Sequence, residues 1–558
     1  MRTKILFLFL CLSMGGCSRR PPLESWFVDS LTKVFPDDGS GANRLDGASF
    51  HAARRSNTSI QLVLRSARTL GDLYVDALPL DGPGMPIGAP RVRWVEYVVV
   101  TSNTQDTPDD ELLRKAPALF PDALLDGFPI TLEKNKTRSV WLTVRVPAGQ
   151  EPGNYAGRIR LRQGREELAV LDYRLTVHAA VVPSPIPLTV TNHFSFSDGL
   201  IQQFFGCTRF SSEWWDLIGN FARFLAGYHQ SSIVADPVTL AIAEPAGGSI
   251  RYNFQNFERY IETFHSAGVR GAIEGGNLLT RERRPNAPVM ARVWVIESGQ
   301  AVRRELPVED ARAQQFLNTF LPALYRRLDT QGWTKSYLQG ILDEPHKGET
   351  EAYVKTAELV RRLMPGVRTM KPVGAKQDLS FMEKTTDIWV PCLGSFDDKL
   401  DLLQGHLKRG GDLWYYTCLA PRGRYPNRFI DYSLTKVRIL HWINFKYGFR
   451  GYLHWGGNHW GPEPLKDTQP VINDGRTYLP PGDAYITYPN RLRRSLDSSI
   501  RLEQMREGIE DFGLLEELSR KEPARARKLA EEAVRSFTDY VRDPKEFRAI
   551  QQGLLGAL

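Results

Sequence analysis

The chain has little cysteine, little net charge and no long apolar run. Five cysteines in 558 residues cannot staple a fold of this size, so its cores must come from apolar packing. A net charge of +8 is small for this length, and the Lys and Arg residues are scattered rather than clustered. That argues against a nucleic-acid-binding surface. Beyond the N-terminus no stretch approaches the roughly 20 apolar residues of a membrane-spanning helix. No Cys/His pair has zinc-ligand spacing; His454 and His459 come nearest and read as structural histidines. No motif implies a metal or an organic cofactor.

Hydrophobic content of 42% and charged content of 24% are those of an ordinary globular protein. The length is too great for one core and predicts two or three domains. The 12 Trp and 20 Tyr are concentrated late in the chain, and flat apolar rings with a polar edge stack well on sugars. At the N-terminus, Arg2 and Lys4 precede an apolar run, Ile5–Leu12, and then Met14-Gly15-Gly16-Cys17. This reads as a bacterial lipoprotein signal over residues 1–17, with cleavage before Cys17 and lipid on its thiol. Ordinary secretion is the alternative, since Leu is usual where Met14 stands. Ser18, rather than Asp, points to the outer membrane of a Gram-negative host, with the protein facing periplasm or cell surface. Of the remaining cysteines, Cys392 and Cys418 fall at the ends of neighbouring expected strands, where a bridge can form in an oxidising compartment.

From about Ile60 to Val177 apolar and polar residues alternate between turn signals, as in Ile60–Leu64, Trp94–Val100, Val140–Val146, Gly157–Leu161 and Leu171–Val177. Short strands at this spacing predict a β-sandwich over residues 18–183, with the role of a scaffold. Pro183, Pro185 and Pro187 then hold the chain extended. Over 188–490 the pattern becomes strand, helix, strand, helix. Strands are expected at Leu188–Phe196, Ser231–Ala235, Val269–Glu274, Tyr337–Leu342, Val367–Lys371, Ile388–Cys392, Leu413–Thr417 and Arg450–Trp455. That is the arithmetic of a (β/α)8 TIM-like barrel. The excursion from about Asn277 to Gln314 reads as a lid or subsite, or as a surface excursion with a small hairpin. Residues 491–558 are expected to be helical and packed on the barrel, the first helix, Ile500–Ser519, with a solvated face.

The chain turns on Ser336–His346, SYLQGILDEPH. A buried strand ends in two consecutive carboxylates, Asp343 and Glu344, and Pro345 cannot extend the sheet. Carboxylates crowded at a strand end repel, which separates their proton affinities and yields an acid beside an anion. Glycoside hydrolysis needs such a pair. The plainer reading has Asp343 capping a helix and Glu344 solvated. The other strand ends favour the first. They carry Asn192 and His193, Glu274 and Asn277, Tyr416 with Asn427, and His454 with Trp455 and Trp460, which together make a concave aromatic-walled site.

Several motifs in order resemble glycoside hydrolase family 123: VPAGQEPGNYAGRIRL (146–161), the Asp343-Glu344-Pro345 strand end, LWYYTC (413–418), RYPNRFID (424–431), FRGYLHWGGNHW (449–460), GDAYITYP (482–489) and SSIRLEQMREGIEDFGLLEEL (498–518). The resemblance covers most of the mature chain. It implies a retaining, exo-acting β-N-acetylgalactosaminidase in which the sugar's 2-acetamido oxygen is the nucleophile. By the match, Asp343 orients and polarises the acetamide, and Glu344 is general acid and then base. Trp389, Tyr416, Asn427, Trp455, Trp460, Asp483 and Tyr488 are the candidate substrate contacts. The implied partner is an N-acetylgalactosamine-containing glycan, with membrane contact through the lipid alone. Two alternatives stand beside it: a glycosidase of another specificity on the same scaffold, and a lipid-anchored protein that binds glycans without cleaving them.

Overall fold

The computed structural model describes residues 23–127, 129–281, 287–374, 382–396, 399–470 and 478–558. The signal segment and Cys17 lie outside them. The N-terminal part is sheet-rich. A seven-stranded sheet runs Glu24–Val28, Asn57–Arg65, Thr137–Arg145, Arg91–Val100, Ala118–Leu125, then Ser495–Ser499 and Tyr488–Asn490 from the far end of the chain. A five-stranded sheet runs Ser49–Arg54, Glu166–Val181, Gly153–Gln163, Leu70–Ala77 and Ile130–Leu132. One core joins them: Ile60, Leu62 and Leu64 from the first meet Tyr155, Ile159, Leu161 and Leu175 from the second. Gly153–Gln163 alternates buried and exposed, as a strand with one wet face must. Asn57–Arg65 is buried on both faces because helix covers its other side.

That covering helix is Ile500–Lys521. The expectation of a solvated face is corrected here, for residues from Ile500 to Leu515 are buried all round. Its charges mislead a reading of amphipathicity because Arg501, Glu503, Glu507, Glu510 and Asp511 each meet a partner from another segment. Arg501 pairs with Asp122 at 2.7 Å, and Glu503 with Arg93 at 2.7 Å. Asp511 pairs with Arg438 at 2.7 Å, and Arg438 also holds Glu507. Glu507 accepts from the Ser59 backbone N–H at 3.0 Å, and Glu510 from His229 at 3.1 Å.

Eight parallel strands form a nearly closed barrel: β1 (Thr189–Asn192), β2 (Ile233–Val234), β3 (Ile273–Asn277), β4 (Tyr337–Gly340), β5 (Arg368–Val373), β6 (Ile388–Pro391), β7 (Asp412–Tyr416) and β8 (Gly451–His454). Every expected strand is present. The ladder runs from β2 through β8 to β1. The remaining gap, β1 to β2, is spanned by the Ser231 and Ser232 N–H groups, which donate to Val190 O at 3.1 and 3.2 Å. The outer helices present apolar stripes inward. Ser212–Ala226 buries Trp214, Leu217, Ile218, Phe221 and Leu225, and Ser211 caps it by accepting from Trp214 N at 3.2 Å.

The excursion after β3 is a three-stranded antiparallel sheet of Leu279–Arg281, Val289–Glu297 and Gln300–Pro307. Cys392 and Cys418 are free thiols. Among the described residues no helix is long and apolar enough to cross a membrane.

Candidate active site

Strand β4 ends where its neighbours force it to. Gly340 pairs with Asn277 on β3 and Met370 on β5, and any side chain there would strike the Asn277 amide oxygen and the Gly276 carbonyl. The β3 register shifts between Glu274 and Asn277, a bulge that re-aims the strand end. The chain then passes through buried Ile341 and Leu342 to Asp343 and Glu344. Glu344 has φ of +39°, a left-handed conformation that costs a non-glycine residue about 1–3 kcal/mol. The turn is clamped from the excursion. Arg281 donates to Asp343 O at 2.7 Å and pairs with Glu349 at 3.1 Å, while Glu349 accepts from His346 N at 2.8 Å.

Both carboxylates line a cavity of about 480 Å³ at the carboxyl ends of the strands. His193, Glu274, Asn277, Tyr416, Cys418 and Trp455 supply its polar and aromatic wall; Leu338, Met370, Pro372, Leu453 and Leu479 supply an apolar one. Asp343 is ringed by protein, yet its carboxyl faces the open cavity and meets solvent there. Desolvation first and the neighbouring Glu344 second push its proton affinity up, against the pull of Arg281, His193 and Lys371. Glu344 accepts a hydrogen bond from the Tyr416 hydroxyl, and Gly374 leaves room for its carboxyl, which a Cβ there would meet at 3.4 Å.

Three cationic side chains bear on the pair. His193, just past β1, bonds through Nε2 to Glu274 Oε2 at 3.0 Å. Glu274 is buried near the start of β3 and accepts from Ser232 Oγ at 2.7 Å. Burial opposes charge on His193, but the Glu274 carboxylate outweighs it and raises the imidazole's proton affinity. Lys371, buried in β5, lies 4.8 Å over the Tyr353 ring; desolvation brings its ammonium down to about 7, against the attraction of Asp343 and Glu344. Arg281 completes the set.

Of the candidate contacts, the structure brings Tyr416 and Trp455 to the cavity beside Asp343 and Glu344. The other five lie behind it. Trp389 points outward from β6, stacked on His406 at 4.1 Å and bonded to Thr386 O. Asn427 holds the loop after β7 by donating to Cys418 O at 2.8 Å and Pro421 O at 3.0 Å. Trp460 packs on Phe204 and donates to Thr487 O at 2.6 Å. Tyr488 reaches the sheets, donating to Asp122 at 2.6 Å. Asp483 sits behind Trp455 and accepts from its indole N–H at 3.0 Å. Aromatic density marked the right end of the barrel but not which face of each strand looks inward. Lys371 is missed by the sequence reading, although a lone lysine within TMKPV is a visible signal, while Arg281 lies in the excursion read as a lid or subsite.

A family profile for the glycoside hydrolase 123 catalytic domain matches residues 199–518, and one for the glycoside hydrolase 123 N-terminal domain matches residues 46–163. No curated protein matches the sequence. Among solved structures, a family 123 glycoside hydrolase from Clostridium perfringens, studied for glycolipid glycan hydrolysis, superposes with a TM-score of 0.74 at 16% identity, covering 96% of this chain and 97% of that one. A β-galactosidase from the psychrophilic Marinomonas ef1 has a TM-score of 0.35 at 11% identity, covering 57% of this chain and 60% of that one. A family 39 glycoside hydrolase from Bacteroides cellulosilyticus WH2 has a TM-score of 0.33 at 10% identity, covering 79% and 80%. Those two superpose too loosely to bear on this fold. With the catalytic-domain profile matched over more than half of its length, the chain belongs to glycoside hydrolase family 123.

Proposed function

We propose that this family 123 hydrolase is a retaining β-N-acetylgalactosaminidase that acts on N-acetylgalactosamine-containing glycans through the substrate's own acetamido group. The observation that carries the reading is the pair of consecutive carboxylates, Asp343 and Glu344, lining one cavity from one strand end. A retaining enzyme with its own nucleophile needs two carboxyls about 5 Å apart on opposite faces of the sugar. Neighbours in sequence approach from one side, which suits a different division of work. Asp343 accepts the acetamide N–H and raises the nucleophilicity of its oxygen. That oxygen bonds to C1 as the glycosidic bond breaks, and Glu344 gives its proton to the departing oxygen. Glu344 then takes a proton from the water that opens the oxazolinium at C1. Tyr416 occupies one Glu344 oxygen and leaves the other for this proton. Leu338, Met370 and Pro372 offer an apolar wall for the acetamide methyl, and Trp455 a face for the ring.

Chromogenic β-N-acetylgalactosaminide, β-N-acetylglucosaminide and β-galactoside test the reading with the full-length chain. Release from the first alone, abolished by Glu344→Gln, is expected. Cleavage of the galactoside would sink the acetamido mechanism, and release from none would favour a binding protein.

We further propose that the chain is exported and lipid-anchored at Cys17, facing periplasm or cell surface. Mass spectrometry of the native N-terminus tests this, and an unmodified terminus would overturn it.

A further inference from the structure

We propose that His193 is a positioning residue of this site: tied by Nε2 to the buried Glu274 carboxylate, it turns its remaining ring nitrogen and its positive charge toward the cavity and keeps Asp343 anionic for work on the substrate. The inference rests on the reading of Asp343 given above.

Its three parts come from three strands, His193 just after β1, Ser232 just before β2 and Glu274 early in β3, and nothing in their local sequence requires them to meet. Glu274 is only 3% exposed. A buried ion pair seldom stabilises a fold more than apolar side chains of the same volume would, so this one asks for another reason. The main chain of His193 is held from both sides: His193 N donates to His454 O at 2.8 Å, and Gly457 N donates to His193 O at 2.9 Å. A side chain at Gly457 would strike His193 O, so the close approach is built in. With Nε2 taken by Glu274, the His193 side chain stays 32% exposed and lines the cavity that Asp343 also lines.

The groups that face His193 leave it as the local cation on this side. Glu274 on β3 and Asp343 after β4 attract its charge. His454, on β8, is held neutral by burial and by Arg428, and His459 is pushed down to about 4 by burial. Arg281 and Lys371 act on Asp343 in the same sense as His193, and Glu344 opposes them.

Two measurements test the assignment. The first is NMR titration of histidine labelled with ¹³C at Cε1 in the full-length protein, with the His193 resonance identified by its loss in His193→Gln. His193 should titrate above the ordinary value of about 6.5, and its midpoint should fall by about half a unit or more in Asp343→Asn and again in Glu274→Gln. An unchanged midpoint in Asp343→Asn would overturn the proposal, leaving His193 as a structural partner of Glu274. This readout needs no substrate, so it stands even if the sugar specificity is wrong. The second is the pH profile of kcat/KM. Loss of the cation makes Asp343 easier to protonate, so His193→Gln should move the acidic limb up by about one pH unit, a tenfold loss at the acid end, with KM changed less than about twofold. His193→Lys, which restores charge, should bring the limb back. An unshifted limb with a raised KM would make His193 a substrate contact and overturn the proposal.

Discussion

Asp483 shows what burial does to a single side chain. It is fully buried, and desolvation pushes its carboxyl up to about 7 despite Arg428, Arg422 and Arg501 nearby. One oxygen accepts from Trp455 Nε1, and the other faces His454 Nε2 at 3.5 Å. A carboxyl that holds its proton more tightly folded than unfolded stabilises the fold below its unfolded value of about 3.9, and that stability is lost as pH rises through about 7. The loss is on the order of 4 kcal/mol. Asp483→Asn keeps an acceptor for Trp455 and cannot ionise. Its melting temperature relative to wild type should therefore rise between pH 5 and pH 8. An equal difference at both values would show that Asp483 does not titrate there. From sequence, Asp483 was a candidate for touching sugar. Its place behind the Trp455 indole depends on which way a loop returns over β8, and no local pattern encodes that.

The helix Ile500–Lys521 makes the same point for an element. By pattern it is a polar helix, and by structure it is a buried one. Arg501 donates to both oxygens of Asp122 at 2.7 and 2.8 Å and to the carbonyls of Arg428, Gly482 and Tyr485. Arg501→Met strands the Asp122 charge, which should cost about 3–5 kcal/mol. Adding Asp122→Leu should recover a large part of that, since the pair then leaves together. Urea denaturation of the four proteins of the cycle checks it, and additive losses would mean that the two side chains do not act as a pair. The barrel strands were legible for the opposite reason. Their burial comes from being inside a parallel sheet, so YLQG, IWVP and DLWYY announce themselves as short apolar or aromatic runs. The outer helices were legible from their one-sided stripes. The segment between β7 and β8 is not one helix but two short ones, Leu434–Arg438 and Leu440–Tyr447, broken at Ile439.

For the whole molecule, the last part of the chain ties the others together. Tyr488–Asn490 and Ser495–Ser499 complete the seven-stranded sheet, and the helix that follows lies against both sheet and barrel. One apolar cluster runs from Val98, Val100 and Phe120 of the sheet into Phe204, Phe205 and Trp460 of the barrel side. Sheet and barrel should therefore melt together, in a single calorimetric transition whose van't Hoff and calorimetric enthalpies agree. Two separated transitions would show that the junction carries little stability.

The sequence by itself determined the order of strands and helices, the turn from antiparallel to parallel architecture near Pro183, and the carboxylate pair at the end of β4. Each of these follows from local periodicity, from proline's missing N–H, or from the adjacency of two residues. Only the tertiary structure decided which side chains share the cavity. Of the strand-end residues, His193, Glu274, Asn277, Tyr416 and Trp455 line it, while Asn192, Asn427, His454 and Trp460 do not. It also decided that Trp389 looks outward and that the charges of Ile500–Lys521 are inside. The physical reason is that a side chain's surroundings are set by strand rotation and loop return. These depend on the packing of the whole chain, whereas periodicity reports only that one face of each element is apolar.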